Sequence, residues 1–181
     1  GLEAPYRRLA RDAGVSLGTV TGVMHDLERL GYIRQTSRHR RWENRAGLEY
    51  DWARTFPREL RPRLNARRYR VEDAGWWRDL DPRDYGYRFA GEAAAALLTG
   101  YLEPGEVTLY GIGDFDALAQ RVHPVRDEAG SLEVLEPFWM FDPEPDPGPV
   151  VPPLLTYAEL LASPADRVQE AAGMVRERFL A

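Results

Sequence analysis

The chain has 181 residues, of which 29 are acidic and 24 basic, giving a formal net charge of −5. Because 44% of the residues are hydrophobic, the chain has enough apolar material for a packed core, which excludes extensive disorder. The absence of cysteine excludes disulfides and thiolate metal sites and is typical of the reducing cytoplasm, where we expect this protein. No apolar run approaches the roughly 18 residues of a membrane helix.

The net charge is unevenly distributed along the chain. The sequence contains no lysine, so all 24 basic residues are arginine. Residues 1–90 hold 19 arginines and 13 acidic residues, a net charge of +6, whereas residues 91–181 have a net charge of −11. This asymmetry predicts a module that faces a polyanion, joined to an acidic module with another task.

The first 46 residues have the pattern of a helix, a tight turn, a second helix and a basic hairpin. Helices are predicted over residues 5–13 and 17–30, because apolar side chains recur there at helical spacing and Gly14 supplies the turn between them. Residues 32–35 and 41–42 indicate two short strands. This order is typical of a winged helix-turn-helix.

The rest of the chain predicts an α+β protein. Residues 47–90 form a helical bridge and an aromatic loop, and residues 91–181 form a C-terminal α+β domain with a Pro-rich connector at 143–153. The bridge is expected to break or kink at Pro57 and Pro62. The other expected elements are a strand at 67–71, a helix at 91–101, a strand at 106–110, a helix at 115–119, a hairpin of 121–126 with 132–138, and helices at 154–161 and 164–180, the last capped by Ser163.

The outer face of the second helix is predicted to contact DNA. Its side chains are small and polar, which lets a helix seat deeply in the major groove. Since we find no Arg, Asn or Gln on that face, we expect weak sequence discrimination. The predicted contacts on this helix are Ser16, Gly18, Thr19, Thr21, Gly22 and His25.

The hairpin is predicted to carry positively charged side chains that contact phosphates or insert into the minor groove. An alternative is a solvated strand whose arginines reflect coding bias, but the preceding helix-turn-helix pattern favours nucleic acid. The predicted contacts are Arg34, Arg38, His39, Arg40, Arg41 and Arg45.

No catalytic residue, metal site or cofactor is predicted. The three histidines are dispersed, and the aspartates at 79, 81, 84, 114 and 116 are typical of turns and helix caps. Gly111 and Gly113 lack the further glycine or lysine of a phosphate-binding loop. Three tryptophans, Trp42, Trp52 and Trp139, are predicted to lie in the core.

Four stretches of the sequence resemble AbiEi-like proteins of type IV toxin-antitoxin systems. The first runs from Ala4 to Ala10 and continues through residues 14–20, where it coincides with the helix-turn-helix pattern. Together the four span nearly the whole chain. The others are residues 91–95 with 98–101, residues 137–139, and residues 152–155 with 157, 158 and 160–162.

This resemblance implies a DNA-binding transcriptional regulator and antitoxin, with double-stranded DNA and a nucleotidyltransferase-like toxin as partners. Some relatives carry a further amino-terminal domain with a nuclease-like appearance, and the start at Gly1 fits the loss of such a part. The acidic domain is expected to bind that toxin or to pair two subunits, unless it is only a solubilising surface.

Two other functions fit the same pattern. In the first, the chain is the DNA-targeting portion of a nuclease-like DNA-processing enzyme whose catalytic domain lies upstream. In the second, it is a structural or DNA-damage-response adaptor in which the winged helix mediates protein contacts. An upstream domain with clustered acidic residues and a lysine favours the enzyme, whereas a neighbouring nucleotidyltransferase gene favours the antitoxin.

Overall fold

A computed structural model of the protein describes residues 2–36, 39–143 and 145–180. The chain divides into two compact units. The first unit contains residues 1–52 and 138–142, and the second contains residues 53–137 and 143–181. Helices and strands occur in both, which confirms the α+β class.

The first unit begins with two helices, α1 (Tyr6–Asp12) and α2 (Leu17–Arg29), which pack against each other. A two-stranded antiparallel hairpin follows, formed by β1 (Ile33–Gln35) and β2 (Arg40–Trp42). Helix α3 (Arg45–Glu59) starts in the first unit and continues beyond it. It runs through Pro57 without ending there, so the predicted break comes later, before a short 3₁₀ helix at residues 61–63.

A small core holds the two helices and the hairpin together. Val20 and Met24 lie one turn apart on the buried side of α2 and pack with Ala10 of α1 and Ile33 of β1. Gly14 makes the turn, because its backbone φ of +64° lies in the left-handed region and a Cβ there would lie 2.6 Å from the Met140 sulfur.

The second unit is built on a five-stranded sheet with the order β4-β5-β7-β3-β6. Strands β5 and β7 are parallel, and the other neighbours are antiparallel. The strands are β3 (Arg67–Arg70), β4 (Tyr87–Ala90), β5 (Val107–Gly111), β6 (Val125–Arg126) and β7 (Leu132–Leu135).

Four further helices accompany this sheet: α4 (Gly91–Thr99), α5 (Phe115–Val122), α6 (Pro153–Leu160) and α7 (Asp166–Phe179). Helices α4, α6 and α7 pack on one another, and the buried alanines 93–95 have side chains small enough to allow this close approach. Within the described residues, no helix is long and apolar enough to cross a membrane.

Three predictions about local structure are wrong. The hairpin of 121–126 with 132–138 does not form, because β7 is buried along its whole length and pairs with β5 and β3, which leaves the exposed two-residue strand β6 at the edge. Trp42 is 41% exposed, because it lies on a two-stranded hairpin too small to cover it. Helix α7 has Ala165 rather than Ser163 as its N-cap.

A buried ion cluster joins three elements of the second unit. The Nε of Arg61, in the 3₁₀ helix, lies 2.9 Å from a Glu159 carboxylate oxygen on α6, and its Nη2 donates to Glu133 on β7. Tyr110 donates its hydroxyl to the other oxygen of Glu159. Burial raises the pKa of Glu159 and opposes the charge of Arg61, while the two carboxylates raise the pKa of Arg61. The guanidinium therefore stays charged between them.

Replacing Arg61 tests whether this cluster holds the second unit together. We expect Arg61→Met to lower the free energy of unfolding by about 3–5 kcal/mol, because it leaves the buried Glu159 carboxylate without its cation. Glu133 keeps the Arg68 guanidinium, whose Nη1 lies 3.9 Å from its carboxylate. Chemical denaturation measures the change. Adding Glu133→Gln and Glu159→Gln removes those charges and is expected to recover part of the loss.

The matched control is Arg63→Met in the same 3₁₀ helix. Its side chain is 75% exposed, and its Nη2 lies 3.5 Å from a Glu59 carboxylate oxygen, so we expect a change in the free energy of unfolding below roughly 0.5 kcal/mol. Equal effects of the two substitutions would contradict a structural role for the buried cluster.

Candidate nucleic-acid interface

Helix α2 presents one exposed stripe opposite its buried side. Val20 and Met24 point into the core, whereas Gly18, Gly22 and His25 recur at helical spacing on the far face and are exposed. Among the described residues, no atom other than the helix's own nearby backbone lies within 4 Å of where a Gly22 Cβ would be. The helix backbone is therefore open to a ligand along this stripe.

The hydroxyl groups predicted to contact DNA also serve the helix itself. Ser16 is the N-cap, and its Oγ accepts the Thr19 backbone N–H at 3.0 Å. Thr21 donates its hydroxyl to the Leu17 carbonyl at 3.0 Å. These bonds fix the side chains, so Thr21 offers a ligand its methyl group and an acceptor oxygen rather than a donor.

Arg29 belongs to the same stripe, which corrects the expectation that this face lacks arginine. It follows His25 by four residues and therefore continues the line of Gly18 and Gly22 along α2. Its Nη2 lies 3.3 Å from a carboxylate oxygen of Asp26. Extending the helical spacing by one turn in the sequence would have identified it.

The hairpin places its arginines on two different faces. Arg34 lies directly opposite Arg41, and Gln35 lies opposite Arg40. Because side chains alternate along a strand, Arg34 and Arg41 share the outward face, where they are 62% and 67% exposed. Arg40 shares the other face with the buried Ile33.

The two outward arginines share a single carboxylate. The Nε atoms of Arg34 and Arg41 lie 3.2 Å and 2.7 Å from the same oxygen, Oε1 of Glu43. Glu43 directly follows β2, and its backbone N–H donates to the Tyr32 carbonyl at 2.9 Å. The hairpin's outward face is thus a cluster of two positive charges and one negative charge.

Arg40 fastens the hairpin to the beginning of the chain. Its Nη2 donates to the Ala4 carbonyl at 2.6 Å, and its guanidinium carbon lies 4.9 Å from the centre of the Tyr6 ring. Its backbone N–H donates to the Glu3 carboxylate at 3.2 Å. These contacts direct the guanidinium away from the face that carries Arg34 and Arg41.

The remaining predicted contacts lie at the tip and exit of the hairpin. His39 is exposed, and its carbonyl accepts the Thr36 N–H at 2.8 Å. Arg45, in the first turn of α3, pairs with Glu49 at 2.7 Å. Arg38 lies outside the described residues.

The first unit is close to neutral. Its residues, 1–52 and 138–142, include nine arginines and eight acidic residues, a net charge of +1. The excess of +6 over residues 1–90 therefore comes mostly from arginines of the second unit. Any attraction of the first unit for a polyanion depends on where its arginines lie rather than on their number.

The second unit contains a cavity of about 590 Å³ beside α5, bordered by charges of both signs. Its lining includes Trp76, Asp79, Arg121 and His123.

Gly111 and Gly113 do not line this cavity. They pack against a neighbouring turn, where a Cβ on Gly113 would lie 1.8 Å from the Tyr85 carbonyl oxygen. Close backbone packing thus accounts for this glycine pair. Residues 2–36, 39–143 and 145–180 hold no His, Cys, Asp and Glu group arranged to bind a metal ion.

Comparison with known proteins identifies a family. The family model described as "Transcriptional regulator, AbiEi antitoxin, Type IV TA system" matches residues 41–181. The match begins in β2 and continues to the end of the chain, so it does not include α1 and α2. No curated protein and no solved structure matches the chain.

Substituting Arg40 and Arg41 one at a time tests whether Arg40 stabilises the first unit and Arg41 does not. We expect Arg40→Ala to lower the free energy of unfolding of the first unit by about 1–2 kcal/mol, because it removes a charged hydrogen bond and a cation–π contact. Arg41→Ala loses only an exposed ion pair and should change it by less than roughly 1 kcal/mol.

Amide hydrogen exchange in α1, α2 and the hairpin measures this difference without interference from the second unit. If Arg41→Ala were the more destabilising change, the assignment of the two hairpin faces would be wrong.

Proposed function

The chain belongs to the family of AbiEi antitoxin transcriptional regulators of type IV toxin-antitoxin systems, and we propose that its first unit is a winged helix-turn-helix that binds duplex DNA without catalysis. In this proposal α1 and α2 form the helix-turn-helix, and α2 enters the major groove. The hairpin of β1 and β2 is the wing.

The observation that carries this proposal is the pair of exposed glycines on α2. Glycine inside a helix costs roughly 1 kcal/mol relative to alanine. Gly18 and Gly22 have ordinary negative φ values, and a Cβ at Gly18 would make only a 3.6 Å contact with the Ser16 hydroxyl. Since the fold has no need of glycine at either position, the close approach of a groove wall to the helix explains both.

The positions along α2 suggest different tasks. Residues near the start of a recognition helix meet base edges, so we assign base contacts to Gly18, Thr21 and Gly22. His25 and Arg29 follow on the same stripe toward the end of α2, where they contact a base edge or a phosphate. Two phosphate contacts come from the wing, through Arg34 and Arg41 on its outward face.

We also propose that the second unit contacts another protein rather than DNA. Its residues, 53–137 and 143–181, have a net charge of −6, which repels phosphate. Leu97 on α4, Phe179 on α7 and Tyr101, which follows α4, are large hydrophobic side chains exposed at its surface. Such a surface suits an antitoxin's protein partner, either a nucleotidyltransferase-like toxin or a second copy of the chain.

A glycine-to-alanine substitution tests the DNA-binding helix. We expect Gly22→Ala to stabilise the protein by up to about 1 kcal/mol while weakening duplex binding roughly tenfold, because the new methyl group prevents close approach to the groove. Fluorescence anisotropy with a labelled mixed-sequence duplex at low salt measures the affinity, and thermal unfolding measures the stability.

Gly173→Ala in α7 is the matched control. Gly173 is also a helical glycine, and a Cβ there meets no described atom within 4 Å outside the nearby helix backbone. We expect it to raise stability with no change in duplex affinity. Equal affinities of the wild type and Gly22→Ala would remove α2 from the interface, and failure of the wild type to bind duplex at low salt would overturn the proposal.

A further inference from the structure

We infer that Glu43 occupies the position of a DNA phosphate between Arg34 and Arg41, and that a duplex binds the hairpin by displacing this carboxylate. The inference rests on the proposed function, since it identifies the phosphate-binding site of the wing and the carboxylate that occupies this site in the free protein. The ligand is a phosphodiester of the duplex backbone.

The register of the hairpin creates a need for an anion at this point. Arg34 and Arg41 lie directly opposite each other on adjacent strands, and like charges in that arrangement repel. A single anion between the guanidinium groups relieves the repulsion. Oxygen Oε1 of Glu43 meets this need in the free protein, at 3.2 Å from one Nε and 2.7 Å from the other.

A phosphate fits the same pair of donors better than one carboxylate oxygen does. Arg41 donates through Nε to Oε1 of Glu43, and the Arg34 Nε forms an ion pair with the same oxygen at 3.2 Å. A phosphodiester shares its single negative charge between two non-bridging oxygens, so it gives each guanidinium its own acceptor. Arginine binds phosphate well because its planar array of N–H donors matches two oxygens at once.

The Glu43 carboxylate can move away from the two arginines without disturbing the fold. Its backbone is fixed by the hydrogen bond from its N–H to the Tyr32 carbonyl, but the carboxylate lies at the surface and its side chain is 31% exposed. Ion pairs of exposed arginines are weak. A change of the Glu43 side-chain rotamer is therefore enough to free both guanidinium groups.

This arrangement makes Glu43 a built-in competitor of DNA. In the free protein Arg34, Arg41 and Glu43 together have a net charge of +1, in a unit whose total is also +1. Displacement of Glu43 presents two positive charges to the duplex. Non-specific attraction is consequently low until the contacts of α2 hold the hairpin against the backbone.

The experiment is a double-mutant cycle between Glu43 and the arginine pair. Glu43→Gln keeps the side-chain shape and removes the competing charge, so we expect it to tighten duplex binding about 3- to 10-fold at low salt. In the background of Arg34→Ala with Arg41→Ala, the same substitution is expected to have no effect on affinity, because no guanidinium remains to be freed.

Glu59→Gln is the control for the change in net charge, because Glu59 is also an exposed carboxylate that pairs with an arginine, but it lies in the second unit. It is expected to leave duplex affinity unchanged. A gain from Glu43→Gln that persists without the two arginines, or that Glu59→Gln reproduces, would overturn the inference and reduce Glu43 to a general charge effect.

A second measurement uses inorganic phosphate and needs no duplex. In Glu43→Gln, phosphate is expected to shift the NMR signals of the Arg34 and Arg41 Nε–H groups at lower concentration than in the wild type. If phosphate shifts neither signal in the variant, there is no anion site, even if the wild type binds DNA through α2. Duplex binding that is lost in Gly22→Ala but unaffected by Glu43→Gln would contradict the inference alone.

Discussion

The pairing of arginine with carboxylates of the same unit is the interaction on which the rest of this structure depends. The chain has no lysine, so every positive side chain apart from histidine is a guanidinium. In the second unit the pairing is buried, where Arg61 joins Glu133 and Glu159. In the first unit it is exposed and, at Arg34 and Arg41, shared through Glu43. Burial makes the former structural, and exposure leaves the latter available to a ligand.

The net charge of each structural unit differs from the net charge of each half of the sequence. The sequence divides into a basic part up to residue 90 and an acidic part, but the structure divides after Trp52 and returns residues 138–142 to the first unit. By that division the first unit has a net charge of only +1. Affinity for a polyanion then depends on a few well-placed arginines, of which we propose that Arg34 and Arg41 are released from their intramolecular partner.

Local features of the fold could be predicted from the sequence, because they depend on neighbouring residues. Gly14 adopts the positive φ of the predicted turn, and Val20 lies on the buried side of α2, where apolar side chains recur at helical spacing. The order of strands could not be predicted in this way. Strand β7 pairs with β5 and β3 rather than with its sequence neighbour β6, and this pairing depends on contacts between residues distant in sequence.

The candidate site could likewise be predicted only where it depends on residues close in sequence. The exposed stripe of α2 followed from helical periodicity, although Arg29 was missed at its end. The split of the hairpin arginines into Arg34 and Arg41 outward and Arg40 inward required the strand register. The family resemblance is confirmed over residues 41–181. The family model does not match α1 and α2, so the assignment of those helices rests on their geometry and on their sequence pattern.

The central claim is that duplex DNA contacts the first unit through α2 and the outward face of the hairpin. Mapping the backbone amide signals of the intact chain by NMR during titration with a mixed-sequence duplex tests it most directly. We predict shifts concentrated at Gly18, Gly22 and His25 and at Arg34 and Arg41, with the amides of α4, α6 and α7 unchanged. Shifts concentrated on those three helices, with α2 unaffected, would contradict the account.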